Sequence, residues 1–227
     1  MKAKISDVDR GHAVYTKRNL ARYDWWVLGV LNNKVWQCPT SKLESFYREH
    51  LSPNHLEVGA GTGYFLDKCL PPLEEVESRV ALLDINRDCL DTASVRIADY
   101  RPELYQENVL EPFEIPEGKF DSIAVNYLLH CLPGDPEKKA IAVFDNLLPH
   151  LIEGGTLFGA TILGNEIKRP MLAAAMMSCY NKKGVMANSN DGLGAVMEAL
   201  SSCFKTFNVE VCGCVVMFWG KGRKSKA

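Results

Sequence analysis

His55-Leu56-Glu57-Val58-Gly59-Ala60-Gly61-Thr62-Gly63-Tyr64-Phe65 is the stretch whose reading decides the fold. Apolar residues lead into a glycine-rich turn, and Phe65-Leu66 then starts a helical pattern. A strand, a tight turn and a helix N-terminus in succession present backbone N–H groups to a ligand. Glycine at 59 and 61 allows backbone angles closed to other residues and lets a ligand approach the main chain. The dinucleotide fingerprint needs a third Gly or Ala where Tyr64 stands. Here the glycines run Gly-x-Gly-x-Gly, with Glu57 two residues before the first.

Working outward, Arg79-Val80-Ala81-Leu82-Leu83-Asp84 is an apolar run that ends in a carboxylate, roughly 20 residues past the glycines. An acid there stands at the carboxyl edge of the neighbouring parallel strand, where it can accept hydrogen bonds from both hydroxyls of a ribose. Asp84 could also cap the helix that starts near Arg87, and the two roles are compatible. Strands are expected at 54–58, 79–84, 104–107, 120–127 and 155–162, with helices at 62–69, 87–99 and 136–151. Such alternation implies parallel strands joined by right-handed crossovers. Pro71-Pro72 ends the first of these helices, and Glu153-Gly154-Gly155 reads as the turn into the fifth strand.

Residues 168–203 read as a Met- and Ala-rich helix, a polar loop from Asn181 to Asp191, and a further helix. Phe204–Val209 and Val211–Trp219 then read as a closing hairpin. The expected fold is α/β, a Rossmann-like, mostly parallel seven-stranded sheet with an antiparallel C-terminal hairpin, in a single domain spanning 1–227. It divides into an N-terminal helical cap (12–51), a core (53–165), and lid helices with the hairpin (166–227). In the cap, Leu20, Tyr23, Val27, Val30 and Leu31 fall at helical spacing. Pro39 breaks that pattern, and Ser41-Lys42-Leu43-Glu44 looks like a capping box opening a second helix. The cap is rich in aromatics: Tyr15, Tyr23, Trp25, Trp26, Trp36, Phe46 and Tyr47. They either dock the two helices on the sheet or line an apolar pocket beside the glycine turn.

With these residues in hand, the chain resembles the class I S-adenosylmethionine-dependent methyltransferases. Their first motif is similar to Glu57-Val58-Gly59-Ala60-Gly61-Thr62-Gly63, and their second acidic position matches Asp84. The likeness continues through Glu107-Asn108-Val109-Leu110, Phe120–Asn126 and Leu147–Leu163, covering about residues 53–165. The resemblance implies S-adenosylmethionine as cofactor. Gly59, Ala60 and Gly61 would then approach it through the main chain, and Glu57 and Asn126 would receive its ammonium group. Asp84 would take the ribose and Ile85 pack on the adenine face, with Asn108 and the Val109 amide reading the adenine edge. Asn108 is equally a turn residue. In family members with such an extension a tyrosine rests near the sulfonium, and Tyr15 and Tyr23 are the candidates.

Tyr127 and His130 follow the fourth strand, at the edge where α/β sheets bind ligands, and are the candidate catalytic residues. His130 could serve as a general base, or could lie in a helical turn satisfied by backbone; no carboxylate clearly orients it, Asp135 falling on the following loop. Asn126-Tyr127 is similar to part of the Asn/Asp-Pro-Pro-Tyr motif of amino-group methyltransferases. Both prolines are missing, so that role is not carried over.

The implied activity is methyl transfer to a small, fairly apolar metabolite, governed mainly by alignment, with the Met171–Met177 run helping to line the acceptor pocket. The alternatives are a nucleic-acid or protein methyltransferase, or a cofactor-binding domain that transfers nothing. A net charge of −2, with no basic stripe before the Lys221–Lys226 tail, argues against a nucleic-acid partner. No apolar run is long enough to cross a bilayer and no signal peptide is visible, so a cytoplasmic protein is expected. The eight cysteines include no C-x-x-C pair, which leaves no expected metal site. Cys212 and Cys214 are expected on one face of a strand.

Overall fold

The computed structural model describes residues 16, 19–20, 23–73, 76–116 and 118–224. Helix α1 (Asp24–Leu31) runs into a short turn, Asn32–Lys34, and is followed by α2 (Thr40–His50). The alternating part comprises β1 (Asn54–Val58), α3 (Tyr64–Cys69), β2 (Arg79–Leu83), α4 (Arg87–Arg96), β3 (Glu103–Tyr105), β4 (Phe120–Asn126), α5 (Pro136–Leu147) and β5 (Leu151–Ile162). Helices α6 (Met171–Lys182) and α7 (Leu193–Cys203) precede the hairpin of β6 (Phe204–Cys212) and β7 (Val215–Arg223). The seven strands lie in the order β3-β2-β1-β4-β5-β7-β6, with β7 antiparallel to both neighbours. This is the expected Rossmann-like sheet with its antiparallel end.

The strands at the centre are apolar on both faces because helices cover both. Leu56, Val58, Ala81, Leu83, Ile123 and Val125 meet Val143, Phe144 and Leu147 of α5 and Ala199 and Leu200 of α7. On the other face Val80 and Leu82 pack against Leu66 of α3 and Leu90 and Ala93 of α4. That face continues into a second cluster, where α1, α2 and α6 bury Leu31, Trp36, Leu43, Tyr47 and Met177 against Phe158 and Met217. Each such buried side chain contributes roughly 1.5–3 kcal/mol, so the cap is welded to the sheet by packing.

Local winding departs from the expected pattern in four places. Helix α1 is a π-helix: Asn32 N–H bonds to Val27 O, and Trp36 N–H to Leu31 O at 2.8 Å. Bonds spanning five residues rotate the apolar stripe, so Leu28, Leu31, Asn32 and Trp36 are buried while Val27 and Val30 stay partly exposed. The capping box does not form, because α2 already opens at Thr40 after Pro39, and Glu44 instead accepts from Tyr64 Oη at 2.8 Å. Strand β5 runs straight through Glu153-Gly154-Gly155 from Leu151, with a bulge against β4 between Phe120 and Ser122. The hairpin turns at Gly213, not at Glu210; Gly213 has φ +57, and its backbone presses on the Trp36 and Gln37 carbonyls, which a Cβ would meet at 2.2 and 2.5 Å. Cys212 therefore ends β6 and Cys214 belongs to the turn, so the two do not share a strand face.

Candidate active site

Strand order reverses between β1 and β4, and open α/β sheets bind ligands beyond the carboxyl ends of the strands at such a point. The glycine turn leaves β1 there. Gly63 is left-handed at φ +71 and starts α3; a Cβ on it would come within 3.1 Å of Ala93 Cα, so this glycine lets α3 and α4 approach each other. Gly61, at φ +52, has a different role. A Cβ on it would meet only the Gly59 carbonyl, at 3.9 Å, and otherwise points into open space. That space is where a ligand can approach the main chain.

Two small cavities, of 110 and 50 Å³, flank the turn. Gly59, Gly61, Asn126, Tyr127 and Tyr23 border both. Asp84, Ile85 and Asn86 of the β2–α4 loop line the larger one, with Leu132 opposite, while Glu57, Ala60 and Thr62 line the smaller. Asp84 Oδ1 accepts from the Asn86 N–H at 2.8 Å, and it is Asn86 that caps α4, its Oδ1 accepting from Asp88 N–H at 2.9 Å. The capping role expected of Asp84 thus passes to Asn86.

Glu57 is buried and held from one side. Its Oε2 accepts from Tyr47 Oη and lies 3.4 Å from His55 Nε2, which leaves Oε1 to face the cavity. His55 is itself buried, with Nδ1 2.7 Å from Ser122 Oγ. A histidine two residues before the glutamate on a strand lies on the same face, so the pairing was available in the sequence as His55-x-Glu57. Tyr47 carried no such local signal.

A third cavity of 420 Å³ adjoins these two, sharing Tyr23, Tyr127 and Cys131 with the larger of them. Its walls are largely aromatic and aliphatic: Trp25, Trp26 and Trp36 from the cap, Ile162 from β5, and Tyr180 and Met186 from α6 and the loop after it. The Met171–Met177 run does not line it; Met171 is 90% exposed and Met177 is packed in the core, while Met186, farther along, takes the place expected of them. Tyr127 adopts the left-handed φ of +54 at the end of β4, and its hydroxyl donates to Asn32 Oδ1 at 3.0 Å. Asn32 in turn donates to Thr40 Oγ1, so the cap and the β4 terminus are tied through one buried amide.

His130 lies in a single 3₁₀ turn, Leu129–Cys131, buried yet lining the aromatic cavity. Ile162 N–H donates to its Nδ1 at 3.4 Å, and Thr161 Oγ1 is 3.3 Å from the same nitrogen. An accepting Nδ1 puts the ring proton on Nε2, the nitrogen left to the cavity. Burial, and secondarily the Lys139 ammonium, push the imidazole pKa down to about 3, so the ring is neutral near pH 7. Lys139 is buried too, donating to Leu132 O, Ala187 O and Asp191 Oδ2 at 2.9, 3.1 and 2.8 Å. It pins the 187–191 loop to the turn that carries His130. Asp135 caps α5, accepting from Lys138 N–H, and does not orient the histidine.

The structure therefore gathers Tyr23, Glu57, Gly59, Ala60, Gly61, Asp84, Ile85, Asn126, Tyr127 and His130 around connected cavities. Asn108 and Val109 stand apart from them. Asn108 Oδ1 accepts from Leu110 N–H at 3.1 Å and its amide donates to Glu111, the bonding of a turn residue. Val109 is buried in the core, its carbonyl accepting from Asn146 Nδ2 at 2.9 Å. Tyr15 lies outside the described residues. Among those residues no helix is long and apolar enough to cross a membrane.

A parallel sheet with a glycine cradle, a strand-end carboxylate and an adjoining apolar cavity defines a nucleotide-cofactor enzyme of the α/β class. Comparison with known proteins carries this further. The family model described as "Methyltransferase domain" matches residues 56–157. "Methyltransferase aurB" of Calcarisporium arbuscula is 36% identical over 220 residues, 90% of this chain and 93% of that protein. The "Physcion biosynthesis cluster O-methyltransferase" of Aspergillus chevalieri is 34% identical over 217 residues, 95% and 96% of the two chains. The fold is also that of N-methyltransferase NodS from Bradyrhizobium japonicum WM9 in complex with S-adenosyl-L-homocysteine, with a TM-score of 0.60 at 16% identity, over 92% of this chain and 100% of that one. The chain belongs to the class I S-adenosylmethionine-dependent methyltransferases, and its cofactor is S-adenosylmethionine.

Proposed function

We propose that the protein transfers a methyl group to a hydroxyl of a small, largely apolar metabolite held in the aromatic cavity. The observation that carries this reading is the shared wall: Tyr23, Tyr127 and Cys131 border the aromatic cavity and the cavity beside Asp84 alike. The name of the physcion-cluster relative supports oxygen as the acceptor atom. When bound, S-adenosylmethionine supplies a methyl carbon already attached to a good leaving group, a sulfonium that departs as a thioether. The chain's own task is then to align the acceptor and keep water out.

The residues divide that task. Gly59, Ala60 and Gly61 offer main-chain approach, Glu57 Oε1 and Asn126 receive the ammonium group, and Asp84 receives the ribose. Ile85 packs against the base. Tyr23 closes over the sulfonium from the cap. His130, with its proton on Nε2, donates a hydrogen bond that orients the acceptor oxygen; the hydroxyl gives up its proton to solvent on entering, before the site closes it off from water. Taking that proton on Nε2 would require moving the ring hydrogen to Nδ1, against the Ile162 N–H. Alignment, with Tyr127 beside it, is therefore the main effect.

The test is incubation of purified protein and methyl-labelled cofactor with a panel of phenols, matched anilines and thiols, and an oligonucleotide. Label in aryl methyl ethers is the expected result. Label confined to nitrogen, sulfur or the oligonucleotide would refute the acceptor assignment.

A further inference from the structure

The first turn of α1 is fastened to the glycine turn by the side chain of Asp24. Asp24, the first residue of α1, accepts from Thr62 Oγ1 at 2.6 Å through Oδ1 and from Arg96 Nη1 through Oδ2. Arg96 of α4 also donates to Asp67 Oδ2 at 3.2 Å and to the Thr62 carbonyl at 3.4 Å, and its guanidinium lies 5.2 Å from the Tyr64 ring centre. Three elements (cap, glycine turn and α4) thus converge on one carboxylate. Both partners of the ion pair are about two-thirds or more buried, with side chains 30% and 26% exposed. Thr62 is buried and belongs to the smaller cofactor-side cavity.

What Asp24 fastens is the wall of the site. Tyr23 precedes it and borders all three cavities, and Trp25 and Trp26 follow it into the aromatic cavity. Those three aromatics are partly or largely exposed, so burial alone holds them weakly. The π-winding gives this turn no packed stripe comparable to Leu28 and Leu31 one turn later.

We propose that Asp24 is a positioning residue, a clasp that holds the cap on the glycine turn and keeps Tyr23 in the wall between cofactor and acceptor. The proposal rests on the assignment of the three cavities made above. Loss of the clasp would free Tyr23 to leave the wall that all three cavities share. A partly exposed ion pair also weakens in salt.

The test compares wild type with Asp24→Ala and Asp24→Asn by titration with S-adenosyl-L-homocysteine, steady-state kinetics and thermal melting. Asp24→Ala should weaken binding about tenfold, with KM for the cofactor rising in step and a modest drop in melting temperature, since the hydrogen bonds lost exist without ligand and their worth divides between fold and binding. Asp24→Asn keeps an acceptor for Thr62 but loses the charge facing Arg96, so it should fall between the two and lose the salt dependence seen in wild type. Should the alanine variant fail to fold, the asparagine variant carries the test alone. Unaltered affinity in the variants would overturn the proposal. So would equal losses in both with a matching drop in melting temperature, which would make Asp24 a stability residue only. Wild type that binds the product yet methylates no phenol would refute the acceptor reading and leave the clasp standing.

Discussion

Replacing His130 by Asn separates the two things that side chain could do. Asn can place its carbonyl oxygen where Nδ1 now accepts from Ile162 N–H, so the backbone amide keeps a partner. What disappears is the Nε2–H and a titrating group. In the folded protein the imidazole pKa falls from the ordinary 6.5 to about 3, because burial and then Lys139 disfavour the cation. The unfolded chain therefore binds more protons between those two values, and stability must fall as the pH drops below about 6.5 toward about 3. At pH 5 this linkage amounts to about 2 kcal/mol lost relative to neutral pH, with a limiting slope of about 1.4 kcal/mol per pH unit. Urea unfolding at pH 7.5, 6 and 5 measures it: His130→Asn should lose about 2 kcal/mol less than wild type over that range. Turnover gives the second readout, and alignment predicts a loss of less than about tenfold. A base that accepts the acceptor's proton would instead be worth about 10²- to 10⁴-fold. Parallel pH profiles for wild type and variant, or a hundredfold loss of turnover with product affinity intact, would refute the reasoning.

The other expected outcomes concern the cofactor side and the loop behind it. Asp84→Ala should cost about 1.5–3 kcal/mol in the binding of S-adenosyl-L-homocysteine by calorimetry, and unaltered affinity would remove Asp84 from the site. Gly61→Val should abolish that binding while far-ultraviolet dichroism shows an intact sheet, since a side chain there enters open space and a φ of +52 suits valine poorly. Asn108→Ala distinguishes a base-reading amide from a turn residue: a loss of product affinity above about tenfold supports the first, and a small change in stability alone supports the second. Lys139→Met should destabilise the fold by about 3–5 kcal/mol, because it strands the buried Asp191 carboxylate, and chemical denaturation would report it.

The backbone of the glycine turn and the strand end beside it were legible because their constraints are local. Glycines needed at 59, 61 and 63, a glutamate two residues earlier and a carboxylate ending the next strand each follow from the backbone path of a strand–turn–helix unit. The aromatic cavity was less legible, because its walls come from segments that only the fold brings together: Trp36, Ile162 and Met186 meet there. The methionines of α6 looked like walls, yet their helix turns Met171 to solvent and Met177 into the core. The π-winding of α1 was hidden as well, since a stripe that is apolar at many positions fits more than one helical period. His130 was legible as a residue near the site but not as a tautomer, which depends on the amide of Ile162 from a distant strand.

The aromatic cavity is built from the two ends of the chain, whereas the glycine cradle and its carboxylates come from the middle. Much of the cavity wall lies outside the family model: Tyr23, Trp26 and Trp36 precede residue 56, and Ile162, Tyr180 and Met186 follow residue 157, while Tyr127, His130 and Cys131 fall within it. Under the proposed function, substitutions that reshape the aromatic cavity for a new acceptor can accumulate with few changes to the residues around the glycine turn. For anyone redirecting this enzyme, the library belongs in residues 25–36 and 180–186, with residues 57–85 left alone. Tyr23, Tyr127 and Cys131 are the exception, since a change at any of them is felt on both sides at once.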